Sequence, residues 1–470
     1  MKRLYSIAIG FVPWIVLAAV SCAPFEPARR MPPTDLLAFE YSGGDSQAAI
    51  PNRWWESFGD SDLTALVDEA LGANFSLQES WARLEQARAL VVQSGARMTP
   101  DLSLTTGASV SRQGTRATTD TVESYSLGLS SGYEIDLWGR LRSEQQAAAL
   151  AVAATREDLN AAAVTLAANV TTRWIGVISQ RMQRDLLEQQ LTSNQTLLEL
   201  VELRFRKSLA SALDVFQQRQ LVAQSNAQLP LVEQTERELL NELALLLGRA
   251  PFAVPRIRST GLNLPTDLPA TGIPARLLAY RPDIRAAMRR LEAADYTVAA
   301  ARADRLPAIS LTARAAYASD ELRLLFDNWL FNLAGNLTAP LLDGGRRKAE
   351  VRRQRAIVEE KLATYSRLVL SAMREVEDAL VREEKLHEHL IALERQLEAA
   401  RNALNEARSR YRSGLNDYLP VLTQLLSVQN LERSRIQRRA ERLVARVDLY
   451  RALGGTWTQT LTPRLRPQTK

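Results

Sequence analysis

Two periodicities divide this chain. Apolar and small polar residues alternate over four short segments, while longer stretches repeat apolar residues every three or four positions. In the first segment Leu102, Leu104, Thr106, Ala108 and Val110 share one face, against Asp101, Ser103, Thr105, Gly107, Ser109 and Ser111. The second sets Tyr125, Leu127, Leu129, Tyr133, Ile135 and Leu137 opposite Ser126, Gly128, Ser130, Gly132, Glu134 and Asp136. In the third, Ile309, Leu311, Ala313, Ala315 and Tyr317 alternate with Ser310, Thr312, Arg314 and Ala316. The fourth places Trp329, Phe331, Leu333, Leu337 and Leu341 opposite Asn332, Asn336 and Thr338. These patterns predict strands at about 101–113, 122–137, 308–319 and 329–341. The helical stretches are far longer. No proline interrupts the run from Gly139 to Arg206. Its counterpart from Gly345 carries a heptad seam that includes Leu362, Tyr365, Val369, Ala372, Val376, Leu390, Leu397, Leu404 and Tyr411, and is broken only by Glu383. At about 1.5 Å per residue each helix reaches roughly 100 Å and needs coiled-coil partners along its length.

The strand pattern admits two readings. Apolar residues with aromatic ends on one face and small polar residues on the other suit a membrane barrel, lipid outside and water within. The same alternation suits two soluble hairpins packed on a helix layer. Four strands cannot close a barrel, and lipid excludes open edges, so the membrane reading requires several chains to share one barrel.

The pattern occurs twice. At an offset of about 207 residues Arg83-Leu84-Glu85 meets Arg290-Leu291-Glu292, Pro100 meets Pro307, and Ser103-Leu104-Thr105 meets Ser310-Leu311-Thr312. One residue less brings Arg204, Phe205 and Arg206 over Arg410, Tyr411 and Arg412, and Leu247-Gly248 over Leu453-Gly454. The chain is a tandem duplication with a period too long for a solenoid repeat. The predicted repeats span 53–250 and 274–455, joined by a proline-interrupted linker at 251–273.

Aromatic residues make up only 6% and charged residues 24%, which favours long helices over compact mixed cores. The net charge of +6 is spread through both halves and gives no focused nucleic-acid footprint. Lys2 and Arg3 precede an apolar run from Ile7 to Val20, too short to span a bilayer but suited to a secretory leader at 1–21. Ala19-Val20-Ser21-Cys22 is similar to a bacterial lipobox, with Ala19 where leucine is commoner. It leaves lipidation of Cys22, the one cysteine, beside plain cleavage near Ala23. Pro24, Pro27, Pro32 and Pro33 make 22–52 an extended tether, and 456–470 reads as a tail.

Catalytic equipment is missing from the pattern. His387 and His389 diverge by about 200° on a helix and read as solvated rather than as metal ligands. Gly344-Gly345 is a strand-to-helix turn, not a phosphate loop. No cofactor, metal or catalytic residue is predicted. The basic run Arg346, Arg347, Lys348, Arg352, Arg353 and Arg355 suits either lipid headgroup phosphates or a solvated helix surface. Each long helix turns back after a basic, aromatic stretch: Arg204 to Leu209 leads through Leu213-Asp214, and Arg410 to Leu415 through Tyr418-Leu419.

Taken together, Trp54-Trp55, Cys22, the duplication, Arg281-Pro282-Asp283-Ile284, the Arg410 to Gly414 turn and Leu453-Gly454-Gly455-Thr456-Trp457 resemble the outer-membrane factor family, in its lipoprotein branch. That resemblance, which covers essentially the whole mature chain, implies a mainly helical fold with a membrane β-barrel. It implies a homotrimer whose twelve strands close one barrel on a helical tunnel, in the outer membrane and periplasm. The implied partners are a periplasmic adaptor, an inner-membrane resistance-nodulation-division pump and outer-membrane lipid, with no chemistry performed. A periplasmic gate would include Asp214 and Leu419, with Leu213 and Tyr418 beside them and Tyr411 at the position of a linking tyrosine. Pro420 and Thr423 stand where family members often carry acidic residues, and capping of the return helix is the alternative role for Asp214. Efflux of small toxic molecules is the leading expectation. Protein secretion through the same fold, and a periplasmic coiled-coil scaffold without a pore, are the alternatives.

Overall fold

The structure is a computed structural model that describes residues 52–114, 119–263, 265 and 280–462. The leader, Cys22, the tether up to Pro51, and parts of the 251–273 linker and 456–470 tail lie outside the described residues. Among those described, the helices are α1 (Ser61–Ala73), α2 (Phe75–Ala96), α3 (Arg140–Arg206), α4 (Ala212–Leu246), α5 (Pro282–Ala303), α6 (Arg346–Arg412) and α7 (Leu419–Leu453). The strands are β1 (Asp101–Gly114), β2 (Thr119–Ile135), β3 (Ala308–Ser319) and β4 (Trp329–Thr338).

Duplication shows in the lengths. α2 and α5 each have 22 residues, α3 and α6 each 67, and α4 and α7 each 35. Strands are less faithful: β2 has 17 residues and β4 only 10. Two predicted strand ends move inward. The second strand stops at Ile135 rather than 137, because Asp136 turns to accept the Leu141 and Arg142 amides at 3.0 and 2.9 Å and caps α3. The fourth stops at Thr338 rather than 341, where Pro340 has no amide to continue a ladder. Asp343 caps α6 in the same way, accepting from Gly345 and Arg347.

The chain divides into two compact units, each drawing on both repeats, since the divisions fall inside α2, α3, α5 and α6. One unit comprises Arg83–Arg156 and Ala286–Arg367 among its described residues. It holds an antiparallel sheet in the order β1-β2-β3-β4 and a small core of Leu291, Ala294, Val298 and Val358 between α5 and α6. The other unit takes in the described residues up to Ala82, Glu157–Arg285 and those from Leu368 onward. Its main core gathers Trp54, Trp55 and Phe58 with Leu63 and Val67 of α1, Ile175 and Ile178 of α3, Leu243 of α4 and Val447 of α7. Trp54 stacks on Tyr450 at 5.1 Å, and Trp55 meets Trp457 edge-on at 4.9 Å, so the first and last described segments close on one another.

The heptad seam of α6 is buried as its spacing predicts, at Tyr365, Ala372, Val376, Ala379, Leu390, Leu393, Leu397, Leu404 and Tyr411. Glu383, the break in that seam, is buried as well. Its carboxylate accepts from Arg446 at 2.9 Å and Arg442 at 3.1 Å, both on α7, so the charge is neutralised in place. Part of α3 is apolar enough to pass for a membrane span, yet 61% of that stretch is buried within the protein, which makes it a core helix.

Candidate functional site

Strand register settles which residues share a face of the sheet. Leu104 opposes Leu129, Leu129 opposes Ala315, and Ala315 opposes Phe331. Opposed residues point to the same side, so the four apolar faces predicted separately merge into one. That face is uncovered: Leu102 is 73% exposed, Trp329 74% and Leu337 69%. Soluble hairpins packed on helices would hide it, and that reading fails on the exposure. The opposite face carries Ser103, Thr105, Gly107, Ser126, Ser130, Thr312, Arg314, Asn332 and Asn336, with Val122 and Leu330 among its apolar exceptions. Gly128 sits on it because a Cβ there would come within 2.7 Å of the Ala316 Cβ. Among the described residues β1 and β4 each pair on one side only, so both sheet edges are open there.

The second feature is the pair of helix-to-helix turns. After α3 the Leu209 amide reaches back to the Arg204 carbonyl at 2.8 Å; after α6 the Leu415 amide reaches Arg410 at 2.9 Å. Both are left-handed caps, with Ser208 at φ 58° and Gly414 at φ 72° in equivalent positions. The helices then restart differently. Ser211 caps α4 through the Asp214 amide at 3.2 Å, and the Asp214 carboxylate accepts the Ser211 amide at 2.9 Å. α7 starts at Tyr418 with no side-chain cap and a proline in its first turn.

Between the turns the Arg204 guanidinium lies over the Tyr411 ring, 4.5 Å from its centroid, and Tyr411 packs on Tyr418 at 5.5 Å. Both tyrosines are buried, and burial pushes their hydroxyls above the ordinary phenol range; the Asp214 charge adds to that, and Arg204 opposes it at Tyr411. Leu213 and Leu419 are 63% and 58% exposed. The five turn residues therefore fall into two sets: Tyr411 and Tyr418 hold the turns together from inside, while Leu213 and Leu419 face outward with the partly exposed Asp214 carboxylate near the tyrosines.

A polar network backs the turns, and sequence reading missed it. The Tyr418 hydroxyl donates to Gln218, whose amide donates to the Asn194 carbonyl at 2.6 Å. Asn194 donates to Ser225 at 3.1 Å and accepts from Gln429 at 2.8 Å. All are buried, and they join α3, α4 and α7 by side chains that would otherwise be costly to bury. Their only signal in sequence was polar residues at apolar-phase positions of the helices.

A two-faced open sheet on long duplicated helices is the arrangement found in known channels. The family model for outer membrane efflux proteins matches residues 66–249 and 273–455. The chain belongs to this family. The pyoverdine export outer membrane protein OpmQ of Pseudomonas aeruginosa is 35% identical over 88% of this chain and 90% of its own length. The outer membrane protein OprJ of the same species is 34% identical over 95% of each chain. Among solved structures, the outer-membrane channel OprN matches with a TM-score of 0.87 at 28% identity, covering 92% of this chain and 99% of its own. The open state of the MtrE outer membrane channel of Neisseria gonorrhoeae matches with a TM-score of 0.82 at 26% identity, covering 92% and 98%.

Membership assigns the sheet's environment. As an outer membrane efflux protein, the chain is a channel component of the outer membrane, with the fold of a helical tunnel and a barrel. The uncovered apolar face is then the lipid face and the small polar face lines water, as in membrane barrels generally.

Proposed function

We propose that three copies of this chain form one passive exit duct, twelve strands closing a barrel in the outer membrane and twelve helices a periplasmic tunnel. The observation that carries this is the four-stranded sheet with an uncovered apolar face and two open edges, which cannot stand alone in lipid. A periplasmic adaptor and a resistance-nodulation-division pump in the inner membrane deliver the cargo. That cargo is small toxic molecules or drugs, in keeping with relatives named for pyoverdine export and toluene efflux. The chain itself performs no chemistry and needs no cofactor or metal. Cleavage of 1–21 leaves Cys22 as a lipidated first residue, with 22–52 as tether, 53–250 and 274–455 as the two repeats, 251–273 as their linker and 456–470 as the tail.

The turns close the duct. Leu213 and Leu419 project outward, where three copies bring six leucines together, and Asp214 adds a ring of negative charge while also capping α4. Tyr411 and Arg204 tie the turn of one repeat to that of the other within each chain. Single-channel conductance in planar bilayers tests the assignment. Asp214→Asn keeps much of the cap geometry but removes the charge, and Leu419→Ala removes constricting bulk; each is expected to raise closed-state conductance several-fold. Unchanged conductance in both variants rejects the gate.

A further inference from the structure

The two strand-to-helix junctions differ in a way that neither the fold nor the duct explains. At the first, Arg140 is held by Glu134 at 2.7 Å and Glu144 at 2.8 Å, and Arg142 lies 3.6 Å from Asp136. Every cation in that first turn of α3 has its carboxylate. At the second, Arg347 is paired with Asp304 at 2.9 Å and Asp343 at 3.5 Å, and Arg353 further along with Glu350 at 2.7 Å. Arg346, Lys348, Arg352 and Arg355 are exposed and make no ion pair among the described residues. The first turn of α6 contains no acidic residue, and cations there also oppose the positive end of the helix dipole.

Apolar surface adjoins this charge. Leu341 and Leu342, directly after β4 and before α6, are 89% and 98% exposed. They lie between the end of β4 at Thr338 and the start of α6 at Arg346, where strand gives way to helix. An open cleft of about 600 Å³ lies between the two junctions, lined by Trp138, Leu341, Leu342, Arg346 and Arg347. Its carboxylates are already engaged: Glu134 by Arg140, Asp136 by the α3 amides, Asp304 and Asp343 by Arg347. Arg346 is left as the uncommitted charge on its rim.

We propose that this second junction binds anionic phospholipid of the periplasmic leaflet, acyl chains against Leu341 and Leu342 and headgroup phosphates against the exposed cations that begin α6, Arg346 beside the leucines and Lys348, Arg352 and Arg355 on the other side of the helix. The proposal rests on the sheet standing in a membrane. Apolar side chains one step toward the strands and unpaired cations one turn into the helix match the order of acyl chain and headgroup at a bilayer edge. A solvated helix surface accounts for the cations but not for two fully exposed leucines beside them.

The test compares wild type with a variant carrying Arg346→Gln, Lys348→Gln, Arg352→Gln and Arg355→Gln, in nanodiscs of phosphatidylcholine with or without phosphatidylglycerol. Co-purified phosphatidylglycerol, counted by native mass spectrometry, and the thermal midpoint are the readouts. Wild type is expected to retain phosphatidylglycerol and melt higher in its presence. Each cation removed is expected to weaken retention about fivefold, as one charge at an anionic surface does. Without any mutation, 1 M salt, where the Debye length is about 3 Å, is expected to abolish the preference. Equal retention by the two proteins overturns the proposal. So does a variant that melts lower or dissociates in phosphatidylcholine alone, because the cations then pair with acidic groups of another copy. Failure of both proteins to enter either nanodisc overturns the membrane reading and the proposal with it.

Discussion

Ser208 holds a backbone conformation, φ 58°, that an L-residue with a Cβ adopts only at a cost, while the equivalent Gly414 holds φ 72° freely. The cap after α3 is thus strained and the one after α6 is not. Ser208→Gly is expected to stabilise the protein by about 0.5–1 kcal/mol and Gly414→Ala to destabilise it by about 1 kcal/mol. Thermal midpoints in detergent would show opposite shifts, and equal signs would refute the strain argument. Ser208 aligns with Gly414 at the repeat offset of 206, but the positive φ they share is visible only in the structure. Asp214 teaches the converse. Its capping box with Ser211 was readable as a serine followed three positions later by an acid, and its role in closing a duct rests on other copies of the chain.

At the scale of elements, spacing was enough wherever one face of a helix or strand is uniform. The α6 seam from Tyr365 to Tyr411 was legible because apolar residues repeat at three and four, and the alternating strands were legible because their period is two. Where polar residues are buried, spacing fell silent. Glu383 broke the seam without a visible reason, because Arg442 and Arg446 lie about sixty residues away in sequence. Glu383→Ala is expected to cost about 3–5 kcal/mol by removing the carboxylate against which Arg446 is buried. The double replacement Glu383→Leu with Arg446→Met removes both charges and is expected to recover most of that loss. Comparable thermal midpoints for wild type and Glu383→Ala would show that the pair contributes nothing. The ends of β2 and β4 were misplaced for a similar reason. Alternation ran on to Leu137 and Leu341, but Asp136 is taken by helix capping and Pro340 has no amide to give.

For the whole molecule the uncovered sheet face decides the assembly. If three chains close the barrel, Leu333 on β4 meets lipid and its neighbour Asn332 meets water. Light scattering in mild detergent is expected to give three chain masses for wild type and for Asn332→Arg. Leu333→Arg, which places a charge on the lipid side at a cost of about 2–4 kcal/mol, is expected to cut the yield of that species severely. A wild-type monomer, or equal tolerance of both arginines, would reject the shared barrel. By itself the sequence determined the duplication, the long helices, the two faces of each strand and the residues of the turns, because local periodicity and repeat alignment need no partner to be read. Only the tertiary structure decided that the four apolar faces merge on one uncovered side, that Glu383 and Asn194 are satisfied by distant helices, and that one junction pairs every arginine of its first helical turn while the other pairs Arg347 and leaves Arg346 exposed. Those outcomes depend on which residues, hundreds of positions apart, come within hydrogen-bonding distance, and no periodicity along the chain encodes that.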